Sequence, residues 1–178
     1  PDTECVAVSQ TSDATGSYYR YAFTLNPGQF VDFVKLGVWP DAYYLLNNSI
    51  DISGGTARAP QLCALDRNQM LAGAPATAQC FFPDGIYSLP LPSDLDGSTP
   101  PPPGTPNYFL GLDQQTFALL NLFKFHVDFS NPSNSTLTGP LQIPVQPYNN
   151  LIQLIPQPGV SNGLISQSGI VMYRLAYR

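Results

Sequence analysis

The alternation of apolar and polar residues is clearest in the run 123–129, FKFHVDF. Four apolar residues occupy every second position, and Lys124, His126 and Asp128 lie between them. Successive side chains of a β-strand point to opposite faces, so the apolar set should face a core and the polar set solvent. This run is therefore predicted to be a half-buried strand.

Similar short runs recur along the chain and are joined by short polar or Gly-, Pro- and Asn-containing connections, which is typical of hairpins. The predicted pairs of strands are 4–9 with 18–25, 61–66 with 76–82, and 123–129 with 135–145. Each pair follows, or is expected to follow, a strand that contains a tyrosine.

The tyrosines Tyr43, Tyr108 and Tyr173 follow one another at an interval of 65 residues. A period of this length suits a supersecondary unit of several strands, as in a β-propeller blade. Matched points in the second strands, Val8, Leu65 and Val127, are 57 and 62 residues apart, so the repeat is inexact.

The predicted fold is all-β: a partial β-propeller of short antiparallel four-stranded blades. Residues 1–178 form a single propeller segment, in which 1–35 are part of one blade, 36–100 the second, 101–165 the third and 166–178 the first strand of a fourth. Because this alignment begins inside one unit and ends inside another, we expect the chain to be part of a longer protein. The length also permits a self-contained β-sandwich.

Composition supports the β class, since only 11% of residues are charged and 19 prolines and 14 glycines provide many turns. The single helical signal is 66–73, where Asp66 is placed to cap one turn with Gln69 three residues later. Seven basic residues are too few for a phosphate-binding surface, so nucleic acid is not an expected partner. No apolar run approaches the roughly 20 residues that span a bilayer.

The cysteines suggest an oxidising compartment. Cys63 and Cys80 lie in consecutive predicted strands, where antiparallel pairing would bring them together. A disulfide would close a loop of about 16 residues and stabilise the fold by roughly 3 kcal/mol. The alternative is two buried thiols. Cys5 is expected to be buried or paired elsewhere.

Several motifs together resemble one family. They are LGVWPDAYY (36–44), CALDRNQMLAG (63–73), LPSDLDGSTPPPPGTPNYF (91–109), FKFHVDF (123–129) and MYRLAYR (172–178). In this order they resemble an uncharacterised group of large exported bacterial proteins with a sialidase-like β-propeller. The resemblance implies a secreted or cell-surface location and an architecture, but it supplies no catalytic residue. The proline run 100–103 is expected to be a stiff spacer between two blades.

The acidic loop 93–97 is the best candidate for a metal. Asp94 and Asp96 precede Gly97, and alternate aspartates can direct two carboxylates at one calcium ion. The further ligands of a full calcium loop are missing. The competing interpretation is a polar turn whose aspartates bond nearby backbone N–H groups.

Glycosidase chemistry needs two carboxylates, or a tyrosine nucleophile with an arginine cluster in a sialidase. Asp41, Tyr43, Tyr44 and the pair Asp94 and Asp96 are candidates because their loops could share one mouth of a propeller. Trp39 and the tyrosines could stack on sugar rings or fill the core.

Two functions remain open. The first is a non-catalytic exported scaffold that binds the remainder of its own polypeptide, another β-rich subunit or a glycan. The second is a fragment of a sialidase-like glycoside hydrolase. His126 is the only histidine and no GxSxG motif occurs, so no catalytic motif marks the chain as an enzyme.

Overall fold

Most of the short apolar runs form β-strands in the computed structural model, which describes residues 2–51, 57–83, 89–149, 153–166 and 170–178, with the backbone alone at 57–59. The strands are β1 (Thr3–Ser9), β2 (Tyr18–Thr24), β3 (Gln29–Val38), β4 (Ala42–Asp51), β5 (Ala57–Asp66), β6 (Ala78–Phe81), β7 (Leu91–Leu95), β8 (Asn107–Leu112), β9 (Leu119–His126), β10 (Thr136–Pro144), β11 (Leu154–Ile155), β12 (Leu164–Ile165) and β13 (Leu175–Tyr177). One short helix, α1 (Arg67–Leu71), follows β5, and a 3₁₀ turn spans Pro132–Asn134. In these residues no helix has the length and apolar character that a membrane crossing requires.

The strands form two main sheets and two hairpins. Sheet one has the order β3-β4-β5-β6 and is antiparallel throughout. Sheet two has the order β10-β9-β8-β7-β13, in which β13 is parallel to β7 and the other pairs are antiparallel. The first hairpin is β1-β2 and the second hairpin is β11-β12.

Sheet one is covered on both faces because apolar residues alternate along β4. Tyr44 points to sheet two, where its ring lies edge-on to the rings of Phe109 and Phe125 at centroid distances of 6.2 and 5.3 Å. The neighbouring Leu45 points the other way and packs with Phe23 of the first hairpin. The first hairpin, sheet one and sheet two are therefore stacked in chain order.

Corresponding strands of the two sheets lie near one another. At one side β3 lies against β7, and the backbone N–H of Val38 donates to Oδ1 of Asp94 at 2.9 Å. At the other side Nε2 of Gln79 on β6 donates to the carbonyl of Asp128, just after β9, at 2.9 Å. The lateral order of the strands is therefore kept from one sheet to the next.

The all-β class is confirmed, and the predicted strands of the second and third kind are present in both sheets and in the first hairpin. The described sheets are open, with edge strands at both sides. Sheet one spans residues 29–81 and sheet two begins at residue 91, whereas the predicted units begin at 36 and 101. The proline run joins β7 to β8, so it lies within sheet two instead of between sheets.

The tyrosine interval is only partly a structural repeat. Tyr43 and Tyr108 lie on β4 and β8, the second strands of their sheets, but Tyr173 precedes β13 and its residue is 74% exposed. The predicted third copy is therefore wrong. Tyr43 packs on the first-hairpin side of sheet one. Since Phe109 faces sheet one, Tyr108 points away from it, so the two tyrosines do not occupy equivalent faces of successive layers.

The predicted disulfide is confirmed. Cys63 on β5 and Cys80 on β6 are directly opposed and bonded, with a Cα–Cα distance of 4.1 Å. Cys5 is a free thiol and is exposed, so its predicted burial is wrong. The reason is strand parity: Val6 and Val8 of β1 pack on sheet one, and Cys5 lies on the opposite face. The predicted cap is also present, because Asp66 accepts from the backbone N–H of Gln69 at 3.1 Å.

Candidate functional site

Four charged residues meet where β13 pairs with β7, and we call them the junction: Asp94, Asp96, Arg174 and Arg178. Oδ2 of Asp94 accepts a hydrogen bond from Nε of Arg174. Asp96 accepts from Nη2 of Arg174 at 3.3 Å and from Nε of Arg178 at 2.9 Å. Both candidate carboxylates are therefore paired with arginines that lie about 80 residues away along the chain.

The backbone explains why these side chains meet. In the parallel register Asp94 lies opposite Ala176, and the N–H of Asp96 donates to the carbonyl of Tyr177 at 2.9 Å. Residues two apart on a strand share a face, so both carboxylates point to the same side. On the other edge of β7 the amide of Asn107 bonds the N–H and C=O of Ser93, at 3.2 and 2.9 Å. Asn107 thereby holds β7 after its ladder with β8 ends.

The junction is electrostatically complementary but largely open to solvent. The hydrogen bond from Arg178, together with the charge of Arg174, lowers the pKa of Asp96. Asp94 raises the pKa of Arg174. The side chain of Arg178 is 80% exposed, so its pair with Asp96 contributes little by itself. The junction works as a network that fixes the position of β13, not as a strong single bond.

An aromatic slot adjoins the junction. The ring of Tyr177 lies edge-on to Trp39 at 4.8 Å and stacks on Tyr108 at 6.3 Å. Trp39 is 1% exposed, and its Nε1 donates to the carbonyl of Thr105 at 3.1 Å. In this conformation Trp39 fills the core and supports Tyr177, and its face is not open to a sugar.

Asp41 and Tyr44 form a second, separate contact. The hydroxyl of Tyr44 donates to Oδ2 of Asp41 at 3.3 Å, while Oδ1 of Asp41 is buried without a hydrogen-bond partner. Burial raises the pKa of Asp41, and the nearby His126 opposes that shift in part. Burial and the Asp41 charge raise the pKa of Tyr44 far above its usual range. Tyr43, the remaining candidate, is partly buried with the guanidinium of Arg67 over its ring at 5.7 Å.

The structure brings together Asp94, Asp96 and two arginines, and it gives Asp41 other partners. The role of Arg174 and Arg178 was missed from the sequence. The available signal was their spacing of four in RLAYR, which places both on one face of a strand. Their partner strand was not readable, because a parallel pair with a long connection leaves no local trace.

An open depression of about 460 Å³ lies beside the junction and is lined by Gly97, Ser98 and Thr99 with Asp96 and Arg178. Within the described part of the chain, no three His, Cys, Asp or Glu side chains are grouped as metal ligands. Calcium at Asp94 and Asp96 stays a prediction, and it would have to compete with Arg174.

Comparison with protein-family models, with curated proteins and with solved structures gives no match. The resemblance to the exported bacterial propeller group therefore stays a prediction.

Proposed function

We propose that this chain is a non-catalytic segment of an exported β-propeller that acts as a binding or assembly scaffold. The observation that carries the proposal is the junction. The aspartates that could serve a reaction are bonded to Arg174 and Arg178 and hold one strand against another. Their position is explained by a structural role.

The stacking of the sheets supports a propeller. Blades of a propeller are small antiparallel sheets that pack face to face around an axis. Here three layers follow one another in chain order, and β3, β7 and β13 lie side by side. A two-layer sandwich accounts for sheets one and two. The first hairpin on the outer face of sheet one favours the continuing stack.

Export is supported by the Cys63–Cys80 disulfide, because disulfides persist mainly in oxidising compartments. The low content of charged residues, 11%, agrees with a protein built for contact with other surfaces. The proposed partners are β-rich sheets or glycans.

The tyrosine chemistry of a sialidase is not supported at Tyr44. A nucleophilic tyrosine must reach its substrate and lose its proton. Tyr44 is 0% exposed, and its raised pKa opposes ionisation. This combination favours core packing.

Glycoside hydrolysis is the second candidate function, and one observation favours it. Burial raises the pKa of Asp41, as a general acid requires, and Asp96 borders an open depression. These are the two carboxyl groups that such a reaction would use here.

Reporter glycosides test both candidates. The purified chain, incubated with a panel of aryl glycosides that includes a sialoside, should release no more product than buffer. Asp41→Asn and Asp96→Asn are the diagnostic variants, and Asp13→Asn in an exposed turn is the matched control. Hydrolysis that is lost in either diagnostic variant and kept in Asp13→Asn would overturn the scaffold proposal. Retention on a glycan array or on a β-rich partner supports the binding role.

A further inference from the structure

The strand β7 uses its two edges over different parts of its length. Leu91 and Pro92 pair with β8, whereas residues 93–95 pair in parallel with β13. The connection from β10 to β13 is 30 residues long. The second half of β7 therefore presents an edge that a distant segment of the chain occupies.

Three features recognise that segment. The N–H of Asp96 bonds the backbone of the incoming strand at Tyr177. The carboxylates of the junction select arginine at both ends of the segment. The slot between Trp39 and Tyr108 receives an aromatic ring. Addition of a strand to a sheet edge, with side-chain pockets for specificity, is a common mode of peptide recognition.

The segment is weakly tied to the rest of the chain by what precedes it. Residues 129–173 contain no Asp, Glu, Lys, Arg or His. In the second hairpin Leu154 and Leu164 are 67% and 57% exposed, so the described part of the connection buries little. Exchange of a terminal strand between identical chains costs little when the exchanged strand makes the same contacts in either chain.

We propose that the second half of β7, with the junction carboxylates and the Trp39–Tyr108 slot, is a strand-receiving site for an extended Arg-x-x-Tyr-Arg segment. In an isolated chain its own residues 174–178 fill the site. In an assembly a second copy of the chain supplies the same residues. The inference rests on the proposed assembly role for its purpose, but its geometry is independent of that role.

The test vacates the site in the full chain. The variant Arg174→Gln/Tyr177→Ala/Arg178→Gln keeps Asp94, Asp96 and Trp39 and removes the side chains that occupy the site. A fluorescein-labelled MYRLAYR peptide should bind this variant saturably, at least tenfold more tightly than it binds the wild type, as measured by anisotropy. Adding Asp94→Asn/Asp96→Asn should weaken binding at least tenfold. A peptide with both arginines replaced by glutamine is the matched control.

Trp39 gives a second readout because it is the only tryptophan and contacts Tyr177 directly. Its emission should change in the vacated variant and return towards the wild-type spectrum when peptide is added. If the triple variant loses its β-sheet circular dichroism, the single variant Tyr177→Ala is measured in the same way, since it keeps both arginines.

Two results would overturn the inference. One is a folded vacated variant in which the peptide changes neither anisotropy nor Trp39 emission. The other is equal peptide binding with and without the Asp94 and Asp96 carboxylates. Either result leaves the glycoside experiment unaffected, so failure of the strand-receiving site and failure of the scaffold proposal are distinguishable.

Discussion

The carboxylate of Asp41 is partly buried, and one of its two oxygens has no hydrogen-bond partner. Burial raises its pKa above the value that it has in the unfolded chain. The folded state then holds the proton more tightly, so stability is lost as pH rises through the unfolded pKa towards the folded one. At neutral pH the charge on Asp41 opposes folding.

Asp41→Asn should therefore raise the free energy of unfolding at pH 7 by about 1 kcal/mol, the lower end of the cost of a buried polar group without a partner. The gain should shrink below about pH 4, where the wild-type carboxyl is protonated in both states. Urea denaturation at pH 7 and pH 3.5 measures both effects. Asp13→Asn, whose carboxylate accepts bonds from Thr15, is the control and should not stabilise. A lower midpoint for Asp41→Asn at pH 7 would contradict this account.

Gly37 marks the closest approach of β3 to β7. A Cβ at this position would lie 2.4 Å from the carbonyl oxygen of Ser93, which is backbone and cannot turn aside. Gly37→Ala should destabilise the protein by about 2 kcal/mol, as overpacked sites do. Thermal unfolding measures the loss. Gly16→Ala in an exposed turn, where the nearest atom would be 3.1 Å away, is the comparison, and equal losses at both positions would show that β3 does not pack on β7.

At the residue level, contacts close in sequence were predictable and distant ones were not. Cys63 and Cys80 were paired correctly because a hairpin places consecutive strands side by side. The exposure of His126 followed from alternation along its strand. The pairing of Asp96 with Arg178 depends on a parallel contact across the whole of sheet two, which no local pattern encodes.

Among the elements, the β5-β6 pair is stabilised by its disulfide. Cys63→Ala/Cys80→Ala should lower the free energy of unfolding by about 3 kcal/mol, the chain-entropy estimate for a loop of this length. Urea denaturation of the oxidised wild type and the double variant measures the difference. Cys5→Ala should change the midpoint little, because that thiol is exposed and unpaired. Coincident curves for wild type and the double variant would refute the prediction.

The docking of β13 should depend on pH. Arg178 and Arg174 lower the pKa of Asp96, so the stabilisation that it supplies is present above the unfolded pKa and is lost as pH falls through the folded pKa. Acidification below about pH 4 should release Tyr177 from Trp39 and change the tryptophan emission. Because the junction is exposed, 1 M salt should have a similar but smaller effect.

An acid titration of Trp39 fluorescence measures this release. Asp94→Asn/Asp96→Asn should start near the acid spectrum and respond much less to pH. A wild-type spectrum that is unchanged from pH 7 to pH 3, in a protein that keeps its sheet circular dichroism, would show that the carboxylates do not hold β13.

Strands with clean alternation and hairpin joins were predictable, and the first strand of each sheet was not. In β3 the register shifts between Asp32 and Lys35, and Phe33 has a φ of 54°, so the polar and apolar positions fall out of step. In β7 Pro92 and two aspartates resemble a loop. Such strands are defined by their neighbours, with Gly37 and Asn107 providing the contacts.

In the whole molecule, the layered stack is the feature that the sequence indicated most usefully. The 65-residue interval led to the correct expectation of successive small sheets, although its third copy and its register are wrong. The interval is odd, and an odd shift along a strand reverses the face on which a side chain lies. Tyr44 and Phe109, also 65 apart, consequently face each other across the same interface.

Hydrogen exchange, followed by mass spectrometry, tests most directly the claim that the junction residues hold strands together. In the wild type at pH 7, residues 175–177 and the amide of Asp96 should be protected, because they pair β13 with β7. In Asp94→Asn/Asp96→Asn that protection should fall at least tenfold while β4 and β5 in sheet one keep theirs. Unchanged protection of residues 175–177 in the variant would contradict the account.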